Sequence, residues 1–209
     1  TLHALTQRLT AEFALRPFIV AHPQLTFATL QRWATDASPH VRRLVSEGSR
    51  PRLPWGLRLK ALIADPSPTL PLLRALQDDP SAAVRRSVAN HLNDIAKDHP
   101  EIVVAWVRDH LAGASRERRA LLRHASRTLM KQGHPKMLAL WGAAAPLDGT
   151  ARLTLSPRRV HVGEEFTFTL TLRSRSAQPQ ALLIDYAVHH VKANGRHSAK
   201  VFKGWSLTL

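Results

Sequence analysis

Asp36-Ala37-Ser38-Pro39-His40-Val41-Arg42-Arg43 returns 43 residues later as Asp79-Pro80-Ser81-Ala82-Ala83-Val84-Arg85-Arg86. Each copy follows an apolar stretch that ends in an acidic turn, Leu30-Gln31-Arg32-Trp33-Ala34-Thr35-Asp36 and Leu73-Arg74-Ala75-Leu76-Gln77-Asp78-Asp79. Ser38-Pro39 and Asp79-Pro80 read as helix starts, because a small polar cap followed by proline satisfies and pre-shapes the first turn. Each unit is thus a helix, an acidic turn and a second helix opening on paired arginines. Two-helix units recurring at about 40–47 residues are the signature of HEAT or armadillo solenoids, which stack their repeats and bind on the surface so formed.

Outward from these copies, residues 1 to about 147 read as helical. Apolar positions recur at helical spacing in Leu2, Leu5, Leu9 and Phe13, and again in Leu25, Phe27, Leu30 and Trp33. A degenerate third unit begins at Ser115-Arg116-Glu117-Arg118-Arg119 and ends near Gly133-His134-Pro135, and a last helix is expected over Lys136 to Gly142. After Pro146-Leu147-Asp148-Gly149 the period changes to two. Arg152 to Leu155, Glu165 to Leu172 and Leu182 to Val191 read as strands, with turns at Val162 to Glu165 and Ala193 to Arg196. The expected domains are therefore 1–147, an all-α HEAT-like superhelical solenoid, and 150–209, a smaller all-β domain. About four strands are visible where an immunoglobulin-like sandwich has about seven. The β domain is therefore expected to be incomplete, and the start at Thr1 is expected to be that of a trimmed chain.

Lys and Arg number 30 against 15 Asp and Glu, giving a net charge of +15. That balance points to a polyanionic partner, above all nucleic acid. No cysteine is present, which excludes disulfides and thiolate metal sites and fits a reducing cytoplasm. No apolar run is long enough to span a bilayer, and no signal peptide is visible. The twelve histidines form no HExxH or His-x-His pattern, so no metal and no cofactor is expected. His189 and His190 read instead as polar contacts to DNA.

Acids are scarce, so those set among arginines stand out: Glu12, Glu47 and Asp94. Glu47 and Asp94 are separated by one repeat plus one helical turn, which places them on about the same face of equivalent helices. Two carboxylates would then converge from adjacent repeats. Carboxylates in a basic groove repel phosphate, and make sense if the target carries or develops positive charge. The competing reading is plain salt bridging, for example Arg43 with Glu47 at i, i+4. Trp55 follows the stiff basic loop Arg50-Pro51-Arg52-Leu53-Pro54, where an indole either stacks on a base or anchors the next helix. Phosphate contacts are expected from Arg42, Arg43, Arg50, Arg52, Arg85, Arg86, Arg118, Arg119 and Arg127. A non-catalytic HEAT-repeat nucleic-acid-binding module and a protein–protein scaffold are the alternatives to an enzyme.

The stretches Val41 to Trp55 and Val84 to Pro100 resemble the HEAT-like repeat DNA alkylation repair glycosylases, specifically the AlkC branch. The resemblance covers roughly residues 1–145, and members of that branch carry an immunoglobulin-like domain that corresponds to the strands after residue 150. It implies a monofunctional DNA glycosylase of base excision repair that acts on duplex DNA as a monomer. Cationic N3-alkylated bases such as 3-methyladenine and 3-methylcytosine would be excised without a metal, with no membrane involved. By motif the catalytic acids would be Glu47, Asp94 and Glu12, with Trp55 against the lesion and the β domain against the duplex.

Overall fold

The computed structural model describes residues 1–143 and 145–209. The helices run α1 (Leu2–Thr6), α2 (Glu12–Ala21), α3 (Pro23–Trp33), α4 (Pro39–Gly48), α5 (Lys60–Ala64), α6 (Leu70–Leu76), α7 (Ala82–Ile95), α8 (Pro100–Leu111), α9 (Arg116–Ala125), α10 (Arg127–Lys131) and α11 (Pro135–Leu140). Strands β1 (Gly149–Ser156), β2 (Thr167–Ser174), β3 (Ala181–Val191) and β4 (His197–Thr208) follow. The chain divides into two compact units, Thr1–Met137 and Leu138–Leu209. The strand unit thus begins before the expected boundary, and Leu138, Pro146 and Leu147 line a cavity with Leu170, Leu172 and Leu182.

In the helical unit α3–α4, α6–α7 and α8–α9 form the repeats, and α7 packs against α4 on one side and α9 on the other. Val41, Leu44 and Val45 of α4 and Val84, Val88 and Leu92 of α7 are wholly buried between them. The repeated phrase acts through its polar atoms. Ser38 N donates to Asp36 Oδ1 and Ser81 N to Asp79 Oδ1, both at 2.8 Å. Arg42 then folds back onto the carbonyls of Asp36 and Ala37, and Arg85 onto those of Asp79 and Pro80. Both aspartates therefore cap the turn, and the serines stand at the helix start.

Three expectations change here. The second copy starts its helix at Ala82 with Ser81 as the cap, not at Asp79-Pro80, because Asp79 is turning the chain one step earlier. Leu2, Leu5, Leu9 and Phe13 do not share one helix: α1 ends at Thr6 and α2 begins at Glu12, leaving Leu9 and Phe13 exposed. The last helix covers Pro135–Leu140 and not the stretch to Gly142, which has φ +77°.

In the strand unit β1 pairs antiparallel with β2, and β3 with β4, as two two-stranded sheets. Phe168 of β2 lies 5.0 Å from Tyr186 of β3, and Tyr186 lies 5.3 Å from Phe202 of β4. These rings join the inner faces, as the alternation in β2 requires. No helix of the described residues is long and apolar enough to cross a membrane.

Candidate active site

Two polar clusters hold the three singled-out acids, Glu12 with Arg43 between α2 and α4, and Glu47 and Asp94 with Arg50 between α4 and α7. Glu12, in the first turn of α2, accepts a bond from Arg43 Nη2 at 2.9 Å through Oε1. Arg43 is therefore drawn away from Glu47, and the i, i+4 pair of the competing salt-bridge reading does not form. Glu47 instead accepts from Arg50 Nη1 at 2.7 Å and from Ser87 Oγ at 2.6 Å. Arg50 also donates through Nε to Asp94 Oδ2 at 2.9 Å. Lys97 Nζ reaches the other oxygen, Oδ1, at 2.9 Å. The two carboxylates do converge from adjacent repeats, and the guanidinium of Arg50 lies between them.

All three acids are buried. The lone pairs of Glu47 and Asp94 are taken up by Arg50, Ser87 and Lys97. Glu12 differs, because its Oε2 is buried without a hydrogen-bond partner. Such an oxygen has lost water and gained nothing, which is costly unless a ligand completes it.

Trp55 is 100% exposed and has φ +61°, in the left-handed region that a bulky residue enters at a cost of about 1–3 kcal/mol. It anchors no helix. The loop that carries it is tied from below by Arg16 of α2, whose Nη1 donates to the carbonyls of Gly48 and Arg50 at 3.0 and 2.8 Å. Arg16 Nε donates to Leu57 O at 2.6 Å. Burial, and then the neighbouring charge of Arg50, bring the Arg16 guanidinium down to about 10, so it stays charged at neutral pH. Gly48 ends α4 against α2, where a Cβ would lie 2.5 Å from Leu15 Cδ2.

The arginines separate into two groups. Arg42 forks onto Asp79 at 2.6 and 3.0 Å as well as holding its own turn, with a side chain only 13% exposed. Arg50 is 8% exposed. Burial opposes its charge, but the bonds and charges of Asp94 and Glu47 outweigh burial and raise its pKa. Arg42 and Arg50 are therefore internal ties between repeats, correcting their expected place at the phosphate surface. Arg85 is bent onto its own turn. Arg52 forks onto Asp98 at 2.7 Å, and Arg118 pairs with Asp78, each keeping a partly open side chain. Arg86 Nη1 donates to His124 Nδ1 at 2.9 Å, and Arg127 reaches the same ring. Arg119 is also partnered. His189 and His190 are exposed on β3 of the strand unit. Among the described residues no three His, Cys, Asp or Glu side chains are grouped to hold a metal ion.

Sequence reasoning missed Ser87, Lys97, Arg16 and His91. Ser87 had a signal: it occupies the position of Leu44 in the repeat, a hydroxyl where the other copy is apolar. His91 is wholly buried and donates Nδ1 to Ser46 O at 3.0 Å. Burial first, with Arg50 and Arg16 adding, lowers its pKa to about 4 against the opposing pull of Ser46 O and Asp94. The unfolded chain takes up that proton from about pH 6.5, so stability is full above this value. It falls as the pH drops toward 4, by an amount on the order of 3 kcal/mol. Urea unfolding of the wild type and His91→Gln between pH 7.5 and 4.5 checks this. The wild type should lose more than the variant, and a difference independent of pH would contradict the assignment.

The family model described as "Uncharacterised protein YhaZ, C-terminal Ig-like domain" matches residues 149–209. Uncharacterized protein YhaZ of Bacillus subtilis (strain 168) is 44% identical over 203 residues, covering 97% of this chain and 56% of that protein. A solved structure of Pseudomonas fluorescens alkylpurine DNA glycosylase AlkC, bound to DNA containing an abasic site analog, matches with a TM-score of 0.92 at 44% identity. That match covers 96% of this chain and 56% of the other, so the chain spans little more than half the length of these relatives. Over nearly all of its residues the chain is similar in sequence and fold to AlkC, and its strand unit matches the C-terminal Ig-like domain described for YhaZ.

Proposed function

We propose that the chain is the catalytic portion of a DNA glycosylase that removes cationic N3-alkylated bases, 3-methyladenine and 3-methylcytosine, from duplex DNA. Support comes from the likeness to a DNA-bound AlkC and from the charge of +15. The observation that carries the reading is the set of three buried carboxylates held by arginines, with Glu12 Oε2 left open. A base alkylated at N3 is already cationic and departs readily. The C1′–N bond breaks, its electron pair neutralises the base, and positive charge develops on the sugar. Fixed carboxylates stabilise that charge, an interaction stronger in the transition state than in the ground state. Water attacks C1′ and loses its proton to a carboxylate, for which Glu12 has the unoccupied oxygen. Trp55 meets the DNA with its whole indole. No residue is needed to protonate a leaving group that is already charged.

One observation favours a second reading. Glu47 and Asp94 are saturated by Arg50, Ser87 and Lys97, as purely structural acids would be, and a non-catalytic DNA-binding module needs nothing more. Release of methylated base from treated duplex by the purified protein decides between the two.

Under either reading phosphate contacts fall to the arginines that keep open side chains or lie on the exposed ends of the repeats: Arg43, Arg52, Arg86, Arg118, Arg119 and Arg127. Arg86→Ala should weaken binding to all duplexes alike and reduce the slope of log K against log salt by about one. A lesion-selective loss at unchanged slope, read by fluorescence anisotropy over a salt series, would remove Arg86 from the phosphate surface.

A further inference from the structure

We infer that Arg16 is a positioning residue of this site, fixing the loop between α4 and α5 so that Trp55 and Arg50 are each held in one arrangement. What the loop acts on rests on the glycosylase reading; what Arg16 holds rests on geometry alone.

Arg16 is 0% exposed, and none of the ion pairs among the described residues includes it. A buried guanidinium without a carboxylate partner is expensive, and a well-packed apolar side chain would serve stability better. Arg16 is hydrogen-bonded only to three carbonyls, with the charges of Asp94 and Glu47 acting on it without contact, and its Nη2 finds no partner at all. Those carbonyls lie in one loop. Gly48 and Arg50 mark its start, and Leu57 its return. The loop's own backbone bonds are few: Gly56 N to Leu53 O and Leu59 N to Pro51 O, both at 3.2 Å.

Two groups depend on this tie. The Arg50 carbonyl is held by Arg16 while its guanidinium spans Glu47 and Asp94. Trp55 sits in a strained conformation with its side chain wholly in solvent, so no packing of the indole offsets the strain. The stabilisation must come from the backbone on either side. Next to it, Gly56 lies directly on Arg16: a Cβ there would stand 3.3 Å from Arg16 Nε and 3.2 Å from Phe13 Cδ1. Glu12 and Arg16 are also one turn apart on α2, so the helix that presents the open carboxylate is the helix that sets the loop. Small displacements of a reacting group cost large factors in rate, which gives such a tie its value.

The test is Arg16→Lys, which keeps the charge but cannot fork between Leu57 O and the other two carbonyls. The Gly56 and Leu59 amides should exchange hydrogen at least ~10-fold faster than in the wild type, while those of Leu92 and Ile95 in α7 are unchanged. Single-turnover excision should fall at least ~10-fold with plain-duplex affinity within about 2-fold of wild type. In a double-mutant cycle, Arg16→Lys should add little to the loss caused by Trp55→Ala, because both act through one loop. Unchanged exchange at Gly56 and Leu59 overturns the inference whatever the activity, and so do fully additive losses. Faster exchange in Arg16→Lys, where the wild type also excises no base, supports the positioning role and sinks the glycosylase reading instead. Should Arg16→Lys not fold, Phe13→Ala and Gly56→Ala disturb the same contact from the other side and are read by the same exchange rates.

Discussion

Glu12→Gln slows single-turnover release of 3-methyladenine from duplex DNA by about 100-fold, the loss of one preorganised charge facing a cationic transition state. The side chain keeps its size, and its amide oxygen still accepts from Arg43. What disappears is the negative charge on Oε2, the buried oxygen without a partner. Asp94→Asn and Glu47→Gln should each cost at least ~10-fold, less than Glu12→Gln because Arg50 already compensates both acids. Affinity for undamaged duplex should hold or rise in all three, since each removes a charge that repels phosphate. Quench-flow with radiolabelled methylated duplex gives the rates. If Glu12→Gln excises like the wild type, Glu12 serves only to anchor Arg43.

Arg50→Met should be the most destabilising change in the helical unit, at about 3–5 kcal/mol. The guanidinium joins Glu47 of α4 to Asp94 of α7, and both acids are buried. Removing it leaves two like charges facing each other with only Ser87 and Lys97 in support. The cost is that of the orphaned carboxylates, not of the lost bonds alone. Urea unfolding at pH 7.5 measures it, and a loss below about 1 kcal/mol would show that the acids have another way to be neutralised. The double variant Glu47→Gln, Arg50→Met should recover part of the loss, because one orphan is removed.

The repeat was legible in sequence because its function is local. Asp, Ser and Arg at fixed offsets make the same turn twice with the same hydrogen bonds, so two copies announced the fold. The convergence of Glu47 and Asp94 followed from repeat arithmetic. What they converge on did not, because Arg50 lies in an irregular loop whose path no period describes. The competing Arg43–Glu47 pair does not form for a tertiary reason: Glu12, brought in by α2, takes Arg43. Arg42 and Arg85 looked like surface cations because their partners are backbone carbonyls and an aspartate of the next repeat. Nothing in the sequence around Arg16 and Pro17 marks that arginine out, although it is wholly buried. In the strand unit the alternation of β2 was plain, while the pairing of β3 with β4 spans a bulge at Ile184 and Asp185 that pattern alone does not reveal.

On the glycosylase reading buried carboxylates on adjacent helical repeats catalyse loss of a cationic base. This is tested most directly by incubating the purified chain with N-methylated duplex DNA at low salt and resolving the released bases by liquid chromatography. Free 3-methyladenine should appear with the wild type, and about 100-fold more slowly with Glu12→Gln under single-turnover conditions. Tight binding of the same duplex with no base released by the wild type would contradict that reading, and would leave the chain a DNA-binding module.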